Sequence, residues 1–571
     1  MKESGVGRSK TEGTRTFQVR DSEKSGFNNN LGKIILCRCV PAGGAKTKIM
    51  NRKAVLKKIR KKDKPWDIII IGGGSTGLGC AVDAASRGYK TLLLEQIDFS
   101  KGTSSRSTKL VHGGVRYLQQ GDISMVFEAL QERGLMFKNA PHLVTNQSFI
   151  IPTYDFWGGP FYTIGLKVYD MMAGKLGLGP SKHLSLEETV AAIPTVEQEG
   201  LRGGVIYQDG QFDDSRMAIS LAHTCVDYGG TVLNYCKVTA LLKDGDLING
   251  VVAVDGESGE SFSIKAKVVI NATGVFADNV IQMDEPEKRN MITPSQGIHL
   301  VLEKDFLPNK YAIMVPHTSD GRVMFAVPWH NHVVVGTTDT LIENHSLEPI
   351  ALEQEVDFVL ETAGHYLVKQ PTRKDVLSVF AGLRPLAKPE DENRATKEIS
   401  RGHKIIISVS GLITIIGGKW TTYRKMAEDT IEKAILLGGL PERECVTRHL
   451  PIHGFRMDID PYNDPLSAYG INKEDILAIG EEEENMDGYI SEKLHILKSQ
   501  VVWAVRREMA RTVEDVLARR TRALFLDARE SIRIAPEVAK IMSKELKQDN
   551  EWIKNQIEAF ELVANNYYFK E

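Results

Sequence analysis

Asp67-Ile68-Ile69-Ile70-Ile71-Gly72-Gly73-Gly74-Ser75-Thr76-Gly77 joins a continuous β-branched run to a glycine cluster. Such a run suits a strand buried on both faces of a parallel sheet. The cluster fits G-x-G-x-x-G, and an Ala-rich helical pattern runs from about Gly77 to Arg87. Thr91-Leu92-Leu93-Leu94 then reads as a second strand, ending at Glu95, and the whole predicts a βαβ unit. Gly72 permits the tight turn, Gly74 lets the backbone approach a pyrophosphate, and Gly77 lets helix and sheet pack closely. The helix N-terminus at Ser75 and Thr76 offers N–H groups and positive dipole to phosphate. Glu95 can accept hydrogen bonds from a ribose diol. Glycine clusters also arise in ordinary turns; here the strand before, the helix after and the acid beyond argue for a dinucleotide site.

Downstream, Ser215–Tyr228 reads as a helix followed by a strand over Thr231–Val238. Leu241-Leu242, Gly250–Val254 and Ser261–Ile264 alternate with the turn signals Lys243-Asp244-Gly245 and Gly256-Glu257-Ser258-Gly259, which predicts an antiparallel meander. It runs into the apolar strand Val268-Val269-Ile270 and then Asn271-Ala272-Thr273-Gly274. That arrangement recurs in two-domain flavoproteins and favours FAD over NAD. No second complete fingerprint is present for NAD(P)H. Residues 295–340 are strand-rich, Val333–Gly336 most clearly. From about 444 the pattern turns helical, with Val501–Arg522 and Ala535–Phe560 carrying apolar residues at three- and four-residue spacing.

The 571 residues allow two to four domains, and 42% hydrophobic with 26% charged residues is a globular composition. The 6 cysteines are scattered without a CxxC pair, so reduced thiols and no metal site are expected. Residues 1–64 carry 18 Lys/Arg against 5 Asp/Glu, although the whole chain is only −2. That asymmetry suits a basic tail on an acidic body. A transit peptide, a membrane-surface or nucleic-acid arm, and a translation start at Met50 are the candidate explanations, and the last is preferred. No run approaches the roughly 18–20 apolar residues of a spanning helix, and no secretory signal core is visible. The expectation excludes an integral or secreted protein and leaves peripheral membrane contact open.

Gly102-Thr103-Ser104-Ser105-Arg106-Ser107-Thr108-Lys109-Leu110-Val111-His112-Gly113-Gly114-Val115-Arg116-Tyr117-Leu118 is far more specific. It resembles the signature of FAD-dependent glycerol-3-phosphate dehydrogenases, GTSS-x-STK-x-x-HGG-x-RYL. Asp213-Asp214-Ser215-Arg216, Val335–Asp339, Gly382–Leu386 and Gly417–Lys425 agree with the same family, in family order, across about 65–435. The resemblance implies an α/β, glutathione-reductase-like FAD-binding domain, a β-rich substrate domain and a C-terminal α-helical cap. The expected boundaries are a basic, disordered extension over 1–63 and an oxidoreductase core over 64–443. Within that core, the FAD domain takes about 64–150, 205–294 and 375–443, and the substrate domain about 151–204 and 295–374. The helical domain takes 444–571. The resemblance further implies oxidation of sn-glycerol 3-phosphate to dihydroxyacetone phosphate, with electrons passing to a membrane quinone. No EF-hand loop of the D-x-[DN]-x-[DN]-G type is present, so the chain resembles the bacterial membrane-associated type, held at the inner face of the cytoplasmic membrane. An anionic lipid surface and a homodimer are the expected partners, and nucleic acid is not one. The alternatives are a glycerol-3-phosphate oxidase using O2, and a non-catalytic FAD-binding scaffold.

A phosphate dianion bearing a secondary alcohol needs cations, best as arginine forks, and a proton acceptor. Arg116, Arg384 and Arg401 are the candidate forks, and Lys419 can add a point charge. The resemblance places Arg116, Tyr117, Arg384 and Lys419 at the substrate, and Thr422 is a further candidate there. His299 is the candidate base, with electrostatic stabilisation by a neighbouring arginine as the alternative. Thr103, Ser104, Ser105, Ser107, Thr108, Lys109, His112, Gly113 and Gly114 are expected around FAD. So are Val238, Ala272, Thr273, Gly274 and Gly382, and the late turn Gly418-Lys419-Trp420-Thr421-Thr422. In the tail, Arg506, Arg507, Arg511, Arg519, Arg520 and Arg522 with Trp503 are read either as a lipid-facing set or as a solvated helix face paired with Glu508 and Glu514.

Overall fold

The structure is a computed structural model describing residues 48–61, 64–114, 122–316, 318, 321–388, 402–460 and 464–570. Its centre is the strand Trp66–Ile71, paired in parallel with Thr91–Leu94 on one side and Ser261–Asn271 on the other. Ile68, Ile69 and Ile70 are fully buried, as a run apolar on both faces requires. The sheet continues through Leu412–Gly417 to His403–Ile407 at one edge and through Thr91–Leu94 to Thr231–Leu233 at the other. On one face, Ile68 and Ile70 pack with Leu78 and Ala81 of helix Ser75–Ser86, Met217 and Leu221 of helix Asp214–Asp227, and Met426 and Ile431 of helix Tyr423–Leu437. On the other, Ile69, Ile71 and Leu92 pack against the meander Cys236–Asp244, Leu247–Asp255 and Ser261–Asn271, through Val251, Ala253 and Phe262. The expected strand Thr231–Val238 is broken at Asn234-Tyr235, where Asn234 Nδ2 donates to the Met509 carbonyl and Tyr235 has φ +51°.

The expected extension over 1–63 is corrected at its end. Residues Arg52–Arg60 form helix α1, whose N-cap Asn51 accepts from the Ala54 N–H at 2.9 Å. Met50 and Ile59 are buried, and Arg52 reaches Asp255 and the Asn234 carbonyl. Val55, Leu56 and Ile59 pack on the body at helical spacing, but the lysines around them mask that pattern in the sequence. The rest of the expected extension, 1–47, lies outside the described residues.

A second, ten-stranded sheet carries Thr340–Leu341, Ile292–Glu303, His332–Gly336, Met324–Trp329, Ala312–Val315, Val144–Thr153, Gly203–Phe212 and Leu110–Val111 in that order. Val376–Ala387 pairs along Ile292–Glu303, and Lys182–Leu184 along Gly203–Phe212. Leu110–Val111, most of Val144–Thr153, Gly203–Phe212 from residue 205 on, and Val376–Ala387 therefore leave the segments assigned above to the FAD domain and join the second sheet. Strand composition reports burial, and it carries no information about which sheet a strand enters.

The helical tail is also more interrupted than its spacing predicts. Lys498–Glu508 ends at Met509 with φ +54°, a π-helical turn spans Asp515–Arg520, and Ala528–Leu546 begins after Asp527, which caps the Glu530 N–H. Lys547, with φ +57°, separates that helix from Asn550–Ala564. The lipid-facing reading of the tail arginines is overturned for Arg519, Arg520, Arg522 and Trp503, all buried. Arg519 and Arg520 both bind the buried Asp98 carboxylate (2.6 and 2.7 Å), Arg522 pairs with Asp213, and Trp503 donates to Glu508. Arg506 pairs with Glu483 and Glu545, and Arg511 with Glu257. Helical spacing counts these charges without seeing carboxylates hundreds of residues away.

Candidate active site

The glycine turn builds the first half of the site. Gly72 has φ +109°, and a Cβ there would lie 2.6 Å from the Ala272 carbonyl oxygen. A Cβ on Gly77 would overlap the Gly72 carbonyl oxygen, so both positions require glycine. Glu95 accepts from Gly73 N–H at 2.6 Å and Ile97 N–H at 3.0 Å, and burial pushes its carboxyl up against the pull of those donors. Ser104 Oγ accepts from Ser75 N–H at 2.9 Å at the start of the helix that also carries Thr76. Ser105 Oγ is buried with no hydrogen-bond partner. Ala272, Thr273 and Gly274 follow the strand Ser261–Asn271 that pairs in parallel with Trp66–Ile71, and Thr273 Oγ1 donates to Asn271 Oδ1 at 2.7 Å. A turn closed to any side chain, a helix N-terminus, a buried acid and an unanswered hydroxyl fit a dinucleotide. Val238 sits in the apolar cluster with Ile71 and Leu94.

A cavity of about 270 Å³ forms the second half. It gathers Thr103, Ser107, Thr108, His112, Gly114, His299, Gly382, Arg384, Gly418, Lys419, Trp420 and Thr421 from segments more than three hundred residues apart. His299 Nε2 lies 2.9 Å from Thr108 Oγ1, its ring stacks on Phe380, and its Nδ1 is buried without a partner. Burial first, and then the Arg384 and Lys109 charges, hold the imidazole pKa well below its usual value. Arg384 donates to Thr337 Oγ1 at 3.1 Å and lies 3.7 Å from Asp339 Oδ1. Its guanidinium occupies the space that a side chain on Gly297 would fill. The Trp420 indole donates to the Ser104 carbonyl at 2.8 Å, Thr421 Oγ1 reaches the His112 carbonyl, and Thr422 is buried in the same turn. Gly113 N–H donates to the Tyr169 hydroxyl, which donates to Asp209, and Arg133 pairs with that carboxylate. Arg116, Tyr117 and Arg401 lie outside the described residues.

Lys109 does not present its ammonium to the cavity. The fully buried Nζ binds Asp214 at 2.8 and 2.9 Å and the Ser105 carbonyl at 2.7 Å, with the rings of Trp329, Phe380 and Phe525 about it at 5.0 to 5.2 Å. Asp214 also accepts from Ser107 N–H, Ser107 Oγ and Ser215 N–H. The motif Asp213–Arg216 is thereby accounted for: Asp213 caps its helix, Asp214 fastens the Thr103–Lys109 loop, and Arg216 pairs with Glu508 at 2.7 Å. Sequence reasoning missed Arg322 and the apolar wall of Phe149, Tyr207, Met314, Val323 and Phe325. Arg322 lies in none of the stretches that carry the resemblance, so nothing in the sequence singled it out. The wall had no signal either, because its residues are single core positions until the sheet assembles them.

A family model described as FAD dependent oxidoreductase matches residues 67–424, and one described as the C-terminal domain of alpha-glycerophosphate oxidase matches 409–553. The mitochondrial glycerol-3-phosphate dehydrogenase of Schizosaccharomyces pombe is 37% identical over 565 residues, covering 88% of this chain and 87% of its own. The mitochondrial enzyme of Homo sapiens is 38% identical over 545 residues, covering 89% and 74%. The solved glycerol-3-phosphate dehydrogenase from Bacillus halodurans, complexed with FAD, superposes with a TM-score of 0.74 at 29% identity, covering 90% of this chain and 97% of that one.

Proposed function

The chain belongs to the FAD-dependent glycerol-3-phosphate dehydrogenase family, and from that premise we propose that it oxidises sn-glycerol 3-phosphate to dihydroxyacetone phosphate and passes the electrons to a membrane quinone. The reading rests on one observation above all: Arg384, Lys419 and His299 line the same cavity beside the Thr103–Thr108 loop. Arg384, its fork oriented by Thr337 and Asp339, supplies paired donors to the substrate phosphate, and Lys419 adds charge. His299, kept neutral by its surroundings, is in the form that can take the proton of the secondary alcohol. An incoming phosphate dianion offsets the charge of Arg384, which raises the basicity of His299 when substrate is present. Gly72–Gly77, Glu95, Ser104 and Ser105 would hold FAD, which when bound supplies the hydride acceptor.

The bacterial membrane-associated type, at the inner face of the cytoplasmic membrane and serving glycerol catabolism, is the version we favour. The test is an anaerobic visible spectrum of purified protein before and after sn-glycerol 3-phosphate, followed by a soluble quinone or air. Bleaching that quinone reverses quickly and air slowly is the expected result. Fast recovery in air with peroxide would move the assignment to an oxidase, and a flavin that never bleaches would refute the substrate.

A further inference from the structure

The segment Thr337–Asp339, which orients Arg384, is itself held from behind. It connects the strands His332–Gly336 and Thr340–Leu341, and Glu355 lies beneath it in the first turn of helix Glu353–Gly364. Glu355 is 3% exposed and is not among the residues lining the cavity. Its Oε1 accepts from the hydroxyls of Thr338 and Thr340, both at 2.7 Å. Its Oε2 accepts from Gln296 Nε2 at 2.8 Å and from the Leu352 N–H at 3.1 Å. All four partners are neutral donors, and together with the positive end of the helix they stand in for a cation.

Each contact leads toward the cavity. Thr338 Oγ1 accepts in turn from the Ile298 N–H at 3.1 Å, one residue before His299. Gln296 lies on the strand Ile292–Glu303, opposite Thr340 on one side, and its neighbour Ser295 is opposite Arg384 on the other. Ser295 Oγ also donates to Asp339. Glu355 therefore fastens the connection to the strand beside Arg384, and between its anchors stand Thr337 and Asp339, the two groups that face the guanidinium. We propose that Glu355 is a positioning residue for the substrate phosphate: by holding Thr337–Asp339 in place it fixes the direction of the Arg384 fork. The inference rests on the role given to Arg384 above.

The carboxylate is suited to this task and an amide is not. A carboxylate can accept from all four donors, whereas glutamine has one accepting oxygen and an NH2 group. In Glu355→Gln, an oxygen that keeps both threonine hydroxyls leaves the amide nitrogen facing Leu352 N–H and Gln296 Nε2, which are donors themselves. A carboxylate that served only to begin the helix would need the Leu352 N–H alone. The other three donors come from outside the helix, and Thr338 itself lines the cavity, while Gln296 and Thr340 are each next to a residue that does.

The test uses the FAD-loaded full chain, an anaerobic titration of flavin bleaching by sn-glycerol 3-phosphate, and turnover with a soluble dye. Glu355→Gln is expected to raise KM and the apparent Kd about tenfold, with kcat within about twofold of wild type and flavin content unchanged. Glu353→Gln, in the same helical turn but 77% exposed and paired with Arg373, should match wild type in both assays. In an Arg384→Lys background, Glu355→Gln should add less than about twofold, because the fork it aims is already gone. An unchanged Kd, or the same tenfold rise in both backgrounds, overturns the proposal. Should Glu355→Gln be recovered without flavin, Thr338→Val decides: it removes one hydroxyl between Glu355 and the connection, a raised Kd supports the proposal, and a wild-type Kd overturns it. Wild type that never bleaches defeats the activity and this proposal with it. Wild type that bleaches beside a Glu355→Gln protein that titrates alike defeats the proposal alone.

Discussion

Replacing Lys109 by methionine removes one ammonium and leaves the Asp214 carboxylate, itself fully buried, without a cation. Breaking a buried pair from one side costs about 3–5 kcal/mol. Asp214 keeps hydrogen bonds from Ser107 N–H, Ser107 Oγ and Ser215 N–H, so the lower end, about 3 kcal/mol, is expected. Adding Asp214→Asn removes the stranded charge and keeps an acceptor for the Ser107 donors, so the double variant should be more stable than Lys109→Met alone. A second effect is chemical. Lys109 is one of the charges that depress the His299 pKa, so its loss raises that pKa and moves the acid limb of the kcat/KM profile to higher pH. Chemical denaturation of the FAD-loaded protein and a pH–rate series measure the two effects separately. A Lys109→Met protein within about 1 kcal/mol of wild type, or a double variant less stable than the single, would refute the assignment of Asp214 as a charge held in place by Lys109.

Arg384→Lys keeps a positive charge but loses the fork held by Thr337, so steady-state assays should show the KM for glycerol 3-phosphate rising about tenfold to a hundredfold. Gly77→Ala puts a methyl group into the Gly72 carbonyl oxygen, and the purified protein should carry little flavin by its visible absorbance. His142, depressed to about 3, and His223 and His299, well below their usual value, are all buried neutral. The unfolded chain protonates them below about pH 6.5 while the folded chain does not, so stability should fall by about 1.4 kcal/mol per pH unit for each as pH drops from there. Both nitrogens of His223 lack a partner, and His223→Phe should lower that slope by one residue's share in denaturation series between pH 6.5 and 5.

The centre of the fold was readable because Ile68–Ile71 has one explanation, burial on both faces, and because only glycine satisfies the turn that follows. His299, Arg384 and Lys419 could be named because the resemblance marks the stretches that carry them, and the cavity brings those stretches together. Lys109 sits in such a motif too, and its ammonium still turns away, since its partner is Asp214 and that pairing appears only in three dimensions. The tail arginines misled for the same reason: Asp98 is more than four hundred residues from Arg519.

The clamp at Asp98 has a consequence for synthesis. A ribosome delivers Asp98, Asp213 and Arg216 long before it delivers their partners Arg519, Arg520, Arg522 and Glu508. Until the last residues emerge, the nascent chain has two acids and an arginine at sites that are dry in the finished protein and have nothing to neutralise them. The loop from Asp98 to Lys109, which carries the hydroxyls proposed to hold the cofactor, can therefore settle only after translation is nearly over. Chains ending before Glu508 should accumulate without flavin, which makes late completion a checkpoint on cofactor loading.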